Sequence, residues 1–392
     1  MFSLLPLPLK SRPPGNNKKR KQYVLIKNGG GKMANIMVNE ACNLRCPYCF
    51  ASEFVNQNPK EMTLEDFKEA LEFVLGDGSH QQVGIIGGEP TIYKHINEAL
   101  EIAIKDVRAY PVMIFTNAVT LENIRPELLE DRKFRMLVNC NSPEDMGKAK
   151  YDKMRENINK FIHEHIGEGR FKLSINLYKP DFDYSYVLDL VEEFQCDSLR
   201  MSISVPSNDL DEKDSLAYFK KMKPVVMNFT MDLLKAGVIP GFDCNFMPLC
   251  LLTEEEIKNL MGIKEHLREY LKNYNSNILR KNRDVYGQSF WERSIICELQ
   301  KCTPVIDILP DLTAVRCFGL SEHTKQNIRD FEGISDLIAF YEKNVDRETR
   351  DFYTSSECQD CDKRKNRVCS AGCHIFKVRK MVNSGEKFVG LA

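Results

Sequence analysis

The sequence carries almost no excess charge of either sign: 55 Lys and Arg stand against 56 Asp and Glu in 392 residues. This excludes a globally basic nucleic-acid binder and an acidic disordered chain. Long apolar runs are also missing. Stretches such as 24–26 and 83–86 fall far short of the roughly 20 residues that span a bilayer. Residues 1–9 are apolar but follow no basic segment and are broken by Pro6 and Pro8, so they do not read as a signal peptide. With 17 Pro and 21 Gly, fibrous and low-complexity classes are excluded too. Neither a membrane nor a nucleic acid is expected as a partner.

What the chain does have is a 43% hydrophobic content, enough for a sizeable core, and 14 cysteines. Small secreted domains use that many as disulfide staples, but this chain is large and shows no export signal. In a reducing cytoplasm, where this reading places it, clustered cysteines hold metal or do chemistry.

Residues 1–32 read as a tail, with the basic run Lys18-Lys19-Arg20-Lys21 and a Gly29-Gly30-Gly31 stretch. From residue 33, short β-branched or apolar runs recur at 34–38, 82–86, 112–116, 135–140, 171–177 and 199–205. Amphipathic stretches of helical period separate them at 63–75, 92–105, 149–166 and 184–194, and another follows at 215–234. Thr63 is placed to cap the first of these helices. Six strands alternating with helices predict an α/β fold with a parallel sheet, a partial (β/α)6 TIM-like barrel over 33–245. Chemistry then belongs at the C-terminal ends of the strands. Residues 246–290 read as a helical connector. Residues 291–392 form a small, irregular, cysteine-rich unit with too little periodic apolar content to fold without a metal staple.

Directly after the first strand stand Cys42, Cys46 and Cys49, in the spacing C-x3-C-x2-C. Three thiolates this close suit three corners of a cubic iron–sulfur cluster and leave one iron open. Zinc would want a fourth ligand, and no His lies between Cys49 and His80. The second strand ends in Gly87-Gly88-Glu89-Pro90-Thr91, where two glycines permit close backbone approach to a ligand.

With Tyr48 before the last cysteine and the Gly87-Gly88-Glu89 strand end, the sequence resembles the radical SAM superfamily over about residues 33–245. The resemblance implies a [4Fe–4S] cluster on Cys42, Cys46 and Cys49, with S-adenosylmethionine on the open iron. One electron then yields methionine and a 5′-deoxyadenosyl radical that abstracts a substrate hydrogen. It also implies that Gly88 and Glu89 meet the methionine amino group, with Gly87 beside them in the cofactor site, and that Tyr48 lies beside the adenine through its backbone. Asn117, Ser142 and Arg200 are expected at the ribose or carboxylate, although Asn117 and Ser142 equally suit turns that cap the next helix. A flavodoxin or ferredoxin is the implied electron donor.

The later cysteines run Cys297-x4-Cys302-x14-Cys317 and Cys358-x2-Cys361-x7-Cys369-x3-Cys373, with a hairpin signal around Pro310-Asp311. This resembles the SPASM extension of radical SAM enzymes, which holds two auxiliary [4Fe–4S] clusters. The likeness implies one cluster on Cys297, Cys302, Cys317 and Cys373, and another using Cys358, Cys361 and Cys369. Two departures stand out: Leu312 occupies the turn position where the family has glycine, and no cysteine follows Cys373. The second cluster would take a ligand such as Asp, borrow Cys244 or Cys250, stay open to substrate, or be absent. A rival reading makes Cys358, Cys361, Cys369 and Cys373 one zinc knuckle. Cys140 and Cys196 read as core residues.

Enzymes with this extension mostly modify peptides, so the resemblance implies a maturase of a ribosomally made peptide that forms a thioether or carbon–carbon crosslink or a related modification. Sulfatase maturation fits less well, because Phe318 follows Cys317 where such enzymes carry an Asp base. The alternatives are a radical enzyme with a small-molecule substrate and a zinc-stapled binding protein without catalysis.

Overall fold

The computed structural model describes residues 32–52, 54–165, 169–204, 214–242, 245, 247–253, 255–256, 302, 304–366 and 369–385. The tail, most of the expected connector, Cys244 and Cys297 lie outside the described residues.

Six parallel strands follow one another in chain order: β1 (Lys32–Met37), β2 (His80–Ile86), β3 (Val112–Thr116), β4 (Phe134–Asn139), β5 (Phe171–Leu177) and β6 (Ser198–Ile203). Between them run α1 (Leu64–Leu75), α2 (Ile96–Lys105), α3 (Lys148–Glu164) and α4 (Ser185–Glu193), with α5 (Ser215–Lys235) after β6. Thr63 caps α1 as its sequence predicts, its side chain accepting from the Asp66 N–H at 3.0 Å. The apolar stripe of α1, including Phe67, Leu71 and Val74, is buried against β1 and β2. Each such large side chain contributes roughly 1.5–3 kcal/mol on burial. These helix–strand repeats make the partial barrel that the periodicity implies.

The sheet is wider than the six strands legible in the sequence. A seventh parallel strand, β7 (Ile239–Phe242), pairs with β6. Its Pro240 and Gly241 argue against a strand in isolation. They are tolerated here because β7 is the edge of the sheet, where a missing donor breaks no ladder. At the opposite edge the C-terminal segment joins the same sheet. There β8 (Asp307–Ile308) lies parallel to β1 and turns back through β9 (Thr313–Val315), which pairs with β10 (Gln326–Asn327). The junction is polar and buried: Asn35 Nδ2 donates to Asp307 Oδ1 at 2.7 Å. Lys60 and Asp311, and Arg329 and Glu69, pair across the surface of the same seam. α6 (Ile334–Tyr341) and α7 (His374–Asn383) complete the unit.

The expected hairpin is present. Leu312 adopts φ 60°, the left-handed conformation for which glycine is the usual residue, and its side chain is nevertheless buried. Among the described residues, no helix is long and apolar enough to cross a membrane.

Candidate active site

The loop leaving β1 carries Cys42, Cys46 and Cys49, and its ends are fixed by hydrogen bonds. The Cys42 N–H donates to Asn56 Oδ1 at 2.8 Å, and the Cys49 N–H donates to the Cys46 carbonyl at 3.1 Å. Burial pushes the Cys42 thiol up to about 11 and the Cys46 thiol up to about 12, with neighbouring cysteines adding to both, and burial raises Cys49 as well. Three such thiols do not ionise together without a cation among them, so the donor set fits a metal cluster and is poorly suited to remain bare. Among the described residues, no three His, Cys, Asp or Glu side chains converge as they would around a single ion. A cubane asks for no such convergence, because it holds its thiolates apart on different irons.

The Gly-Gly-Glu end of β2 is clamped to this loop. The Gly88 N–H donates to the Asn39 carbonyl and the Glu89 N–H to the Ala41 carbonyl, both at 2.8 Å. A Cβ on Gly88 would lie 2.3 Å from the Ala41 carbonyl oxygen, and one on Gly87 would lie 2.1 Å from Asn39 Oδ1. Gly88 is therefore required by close backbone approach within the protein itself, whereas Gly87 leaves room for the buried Asn39 side chain. Glu89 is 1% exposed. Its carboxylate accepts from the Thr91 N–H (3.1 Å) and hydroxyl (2.7 Å), the Thr116 hydroxyl (2.6 Å) and the Asn117 N–H (2.8 Å). Burial raises its pKa and these four donors oppose the rise. The side chain thus ties the end of β2 to the end of β3.

Of the other residues singled out from the sequence, Tyr48 lies in the same loop and Asn117 bonds to it. Asn117 Nδ2 donates to Asn43 Oδ1, within the cysteine loop, at 2.7 Å. Ser142 caps the turn Pro143–Met146 by accepting from the Asp145 N–H at 3.0 Å, the helix-capping role its position allows. Arg200 Nη1 donates to Ser174 Oγ at 2.7 Å, further down the sheet. The Tyr48 ring packs on Tyr178 with centroids 5.0 Å apart.

Sequence reasoning missed a line of amides. Ser202 Oγ donates to Asn176 Oδ1, Asn176 Nδ2 to Asn139 Oδ1 (2.9 Å), and Asn139 Nδ2 to the Tyr48 hydroxyl (2.9 Å). Tyr48 donates in turn to Asn141 Oδ1, and Asn141 Nδ2 donates to Cys46 Sγ at 3.3 Å. Every bond points the same way, from β6 across β5 and β4 to a cysteine sulfur. The available signal was polar residues at i, i+2 spacing, Ser174 and Asn176 on β5 and Arg200 and Ser202 on β6, which share one face of the sheet.

In the C-terminal unit, the guanidinium of Arg316, 1% exposed, lies 3.5 Å from Cys302 Sγ and pairs with Asp346. Lys377, equally buried, donates to the Thr349 carbonyl at 3.0 Å. Burial lowers its pKa, while Cys369 and Cys373 pull it back up. Two buried cations among cysteines suit an anionic group, and a thiolate-ligated cluster is one. Cys358, Cys361 and Cys369 line a common cavity beside the start of α5. Phe318, next to Cys317, packs on Phe50, next to Cys49, with centroids 4.6 Å apart. That contact joins the two cysteine regions. Cys140 is fully buried and Cys196 packs against the core.

Residues 36–192, which contain the cysteine loop and the Gly-Gly-Glu strand end, match the family model of the radical SAM superfamily. Over these residues the chain carries a radical SAM domain. The fold is shared with solved structures over most of the chain. SuiB of Streptococcus suis, solved with S-adenosylmethionine and also with precursor peptide SuiA, superposes with a TM-score of 0.55 at 17% identity, over 89% of this chain and 74% of that one. anSMEcpe with bound AdoMet and the Kp18Cys peptide superposes with a TM-score of 0.53 at 15% identity, over 87% of this chain and 88% of that one. Among curated sequences, 7,8-dihydro-6-hydroxymethylpterin dimethyltransferase of Methanocaldococcus jannaschii is 33% identical over 93 residues, 24% of this chain and 18% of that enzyme. The chain thus spans less than a fifth of that relative's length.

Proposed function

We propose that this protein is a radical SAM peptide maturase. In this reading it cleaves S-adenosylmethionine reductively, abstracts a hydrogen from a ribosomally made peptide, and so forms a thioether, a carbon–carbon crosslink or a related modification. The observation that carries it is the seam between the two cysteine regions: β8 pairs with β1, and Phe318 after Cys317 packs on Phe50 after Cys49. In this reading a SPASM-like unit would set its cysteines against the mouth of the barrel, so that electrons could pass between clusters. The overlay on SuiB and anSMEcpe, both solved with peptides, supports a peptide as the substrate class.

When bound, an iron–sulfur cluster on Cys42, Cys46 and Cys49 would supply the electron that splits S-adenosylmethionine, and auxiliary clusters would sit on Cys302, Cys317, Cys358, Cys361, Cys369 and Cys373, with Cys297. The protein's own part is positional. The Asn39–Gly88 and Ala41–Glu89 backbone bonds fix the loop against β2, Asn117 orients Asn43, and Asn141 donates to the Cys46 sulfur. In this reading Tyr48, Ser142 and Arg200 would meet the cofactor's adenosine and carboxylate, and a flavodoxin or ferredoxin would deliver the electron.

The test is anaerobic reconstitution followed by reduction, with 5′-deoxyadenosine and peptide mass as readouts. Wild-type protein should form 5′-deoxyadenosine and change the mass of a short peptide encoded beside its gene, and Cys46→Ala should form none. Undiminished 5′-deoxyadenosine from Cys46→Ala would overturn the cluster assignment. Coupled turnover of a small metabolite, with all peptides untouched, would move the enzyme to the small-molecule class, to which the pterin-named relative gives some weight.

A further inference from the structure

Cys250 lies in the short turn Leu249–Leu251 that follows β7, and its side chain is exposed. It lines the same cavity as Cys358, Cys361 and Cys369. The four cysteines come from three separately anchored pieces of chain. The turn holding Cys250 is closed by the Leu251 N–H donating to the Pro248 carbonyl at 3.0 Å. The Cys358–Cys361 turn is held by Arg364, whose Nε donates to the Cys358 carbonyl and whose Nη2 donates to the Gln359 carbonyl, each at 2.7 Å. The Cys369 sulfur accepts from the Ala371 N–H at 3.4 Å, and the Cys369 N–H donates to the Lys363 carbonyl at 3.0 Å.

We propose that Cys250 is the fourth protein ligand of an iron–sulfur cluster held by Cys358, Cys361 and Cys369. This rests on the reading above that the C-terminal cysteines carry auxiliary clusters. The chemistry of the cavity agrees. Lys363 and Arg364 line it and offset the negative charge of a four-thiolate cluster. The Ala371 N–H already points at one ligand sulfur, as donors around such clusters do. On ligation each thiol releases its proton to solvent, and no other reactant is needed.

The ligand that the family places after Cys373 therefore comes from the far edge of the barrel. The segment after β7 is brought there by α5, whose first residue Ser215 hydrogen-bonds to Thr354 and whose Lys220 pairs with Glu357 at 2.5 Å. A site with four protein thiolates is closed to substrate, so this cluster carries electrons and does not bind the peptide.

The experiment uses anaerobically reconstituted full-length protein: wild type, Cys250→Ala, Cys250→Ser and, as a control, Cys196→Ala. Iron and sulfide are counted by native mass spectrometry, reduced clusters by electron paramagnetic resonance, and Cys250 by alkylation before and after iron chelation. Wild type and Cys196→Ala should hold about twelve irons. Cys250→Ala should lose between one and four of them together with one resonance signal, and Cys250→Ser should keep a shifted signal. In wild type, Cys250 should alkylate only after chelation, a readout that needs no variant. Full iron and unchanged signals in Cys250→Ala, or alkylation of Cys250 in the iron-loaded wild type, would overturn the proposal. About eight irons in wild type would overturn it too, because the site would be empty. About four would instead overturn the auxiliary-cluster reading itself.

Discussion

The side-chain amide of Asn141 donates to the sulfur of Cys46 across 3.3 Å, while its carbonyl accepts from the Tyr48 hydroxyl. The donor on the sulfur is thus the last of a one-way line of hydrogen bonds that begins at Ser202 on β6. Aligned bonds of this kind polarise one another, which strengthens the terminal N–H···S contact.

A donor to a ligand sulfur stabilises the reduced, more negative cluster, so Asn141→Ala should lower the reduction potential of the barrel cluster. A differential hydrogen bond of about 1 kcal/mol corresponds to some tens of millivolts for one electron. Electron paramagnetic resonance during a redox titration reads the shift directly. An unchanged potential would mean that the amide leaves the sulfur once the site is loaded.

Gly88→Ala should be worse tolerated than a surface change of the same size. The new Cβ would meet the Ala41 carbonyl at 2.3 Å, on a loop whose position the Glu89–Ala41 backbone bond defines. Relief requires the cysteine loop to move away from β2, at a cost of about 1–3 kcal/mol. Thermal unfolding of the metal-free protein should fall by several degrees, and iron incorporation at Cys42, Cys46 and Cys49 should drop. Normal loading would show that the clamp is not needed for the cluster.

His80, at the start of β2, is 3% exposed, and burial followed by the charge of Lys32 lowers its pKa to about 4. The unfolded chain, with an ordinary histidine pKa near 6.5, binds the proton more readily. Stability from this site is therefore complete above about pH 6.5 and declines as the pH falls towards 4. The integrated loss is about 3 kcal/mol. Urea unfolding at pH 7 and pH 4.5 should show the decline in wild type, and His80→Gln should flatten it. Parallel curves for the two proteins would place the acid sensitivity elsewhere.

Leu312→Gly tests which of two opposed effects wins in the β8–β9 turn. The left-handed backbone at φ 60° costs a leucine about 1–2 kcal/mol that glycine escapes. The same side chain is 2% exposed, and removing a buried leucine costs roughly 2–5 kcal/mol. Burial is the larger, so the substitution should destabilise the protein by about 1–3 kcal/mol in chemical denaturation. A stabilised variant would show the strain to dominate.

Much of the barrel was legible because its signals are local. The alternation of apolar runs with helical stripes is written within each segment, as in Thr63 and the buried face of α1. The spacing of Cys42, Cys46 and Cys49 is likewise local, since a single loop holds all three. β7 was hidden because its Pro240 and Gly241 contradict strand propensity, and only the edge position in the sheet makes them acceptable.

The relationships that only the folded chain decides are those between residues far apart in sequence. Asn139, Asn176 and Ser202 are unremarkable polar residues until strand pairing puts them on one face, where each satisfies the next. Cys250 is a lone cysteine in the sequence, and Phe318 is only the apolar residue after Cys317. α5 brings the first to Cys358, Cys361 and Cys369, and pairing of β8 with β1 brings the second to Phe50. Local spacing can specify a loop that holds three thiols. Which distant side chains complete, polarise and connect that loop depends on register and packing, which exist only once the hydrophobic core has closed.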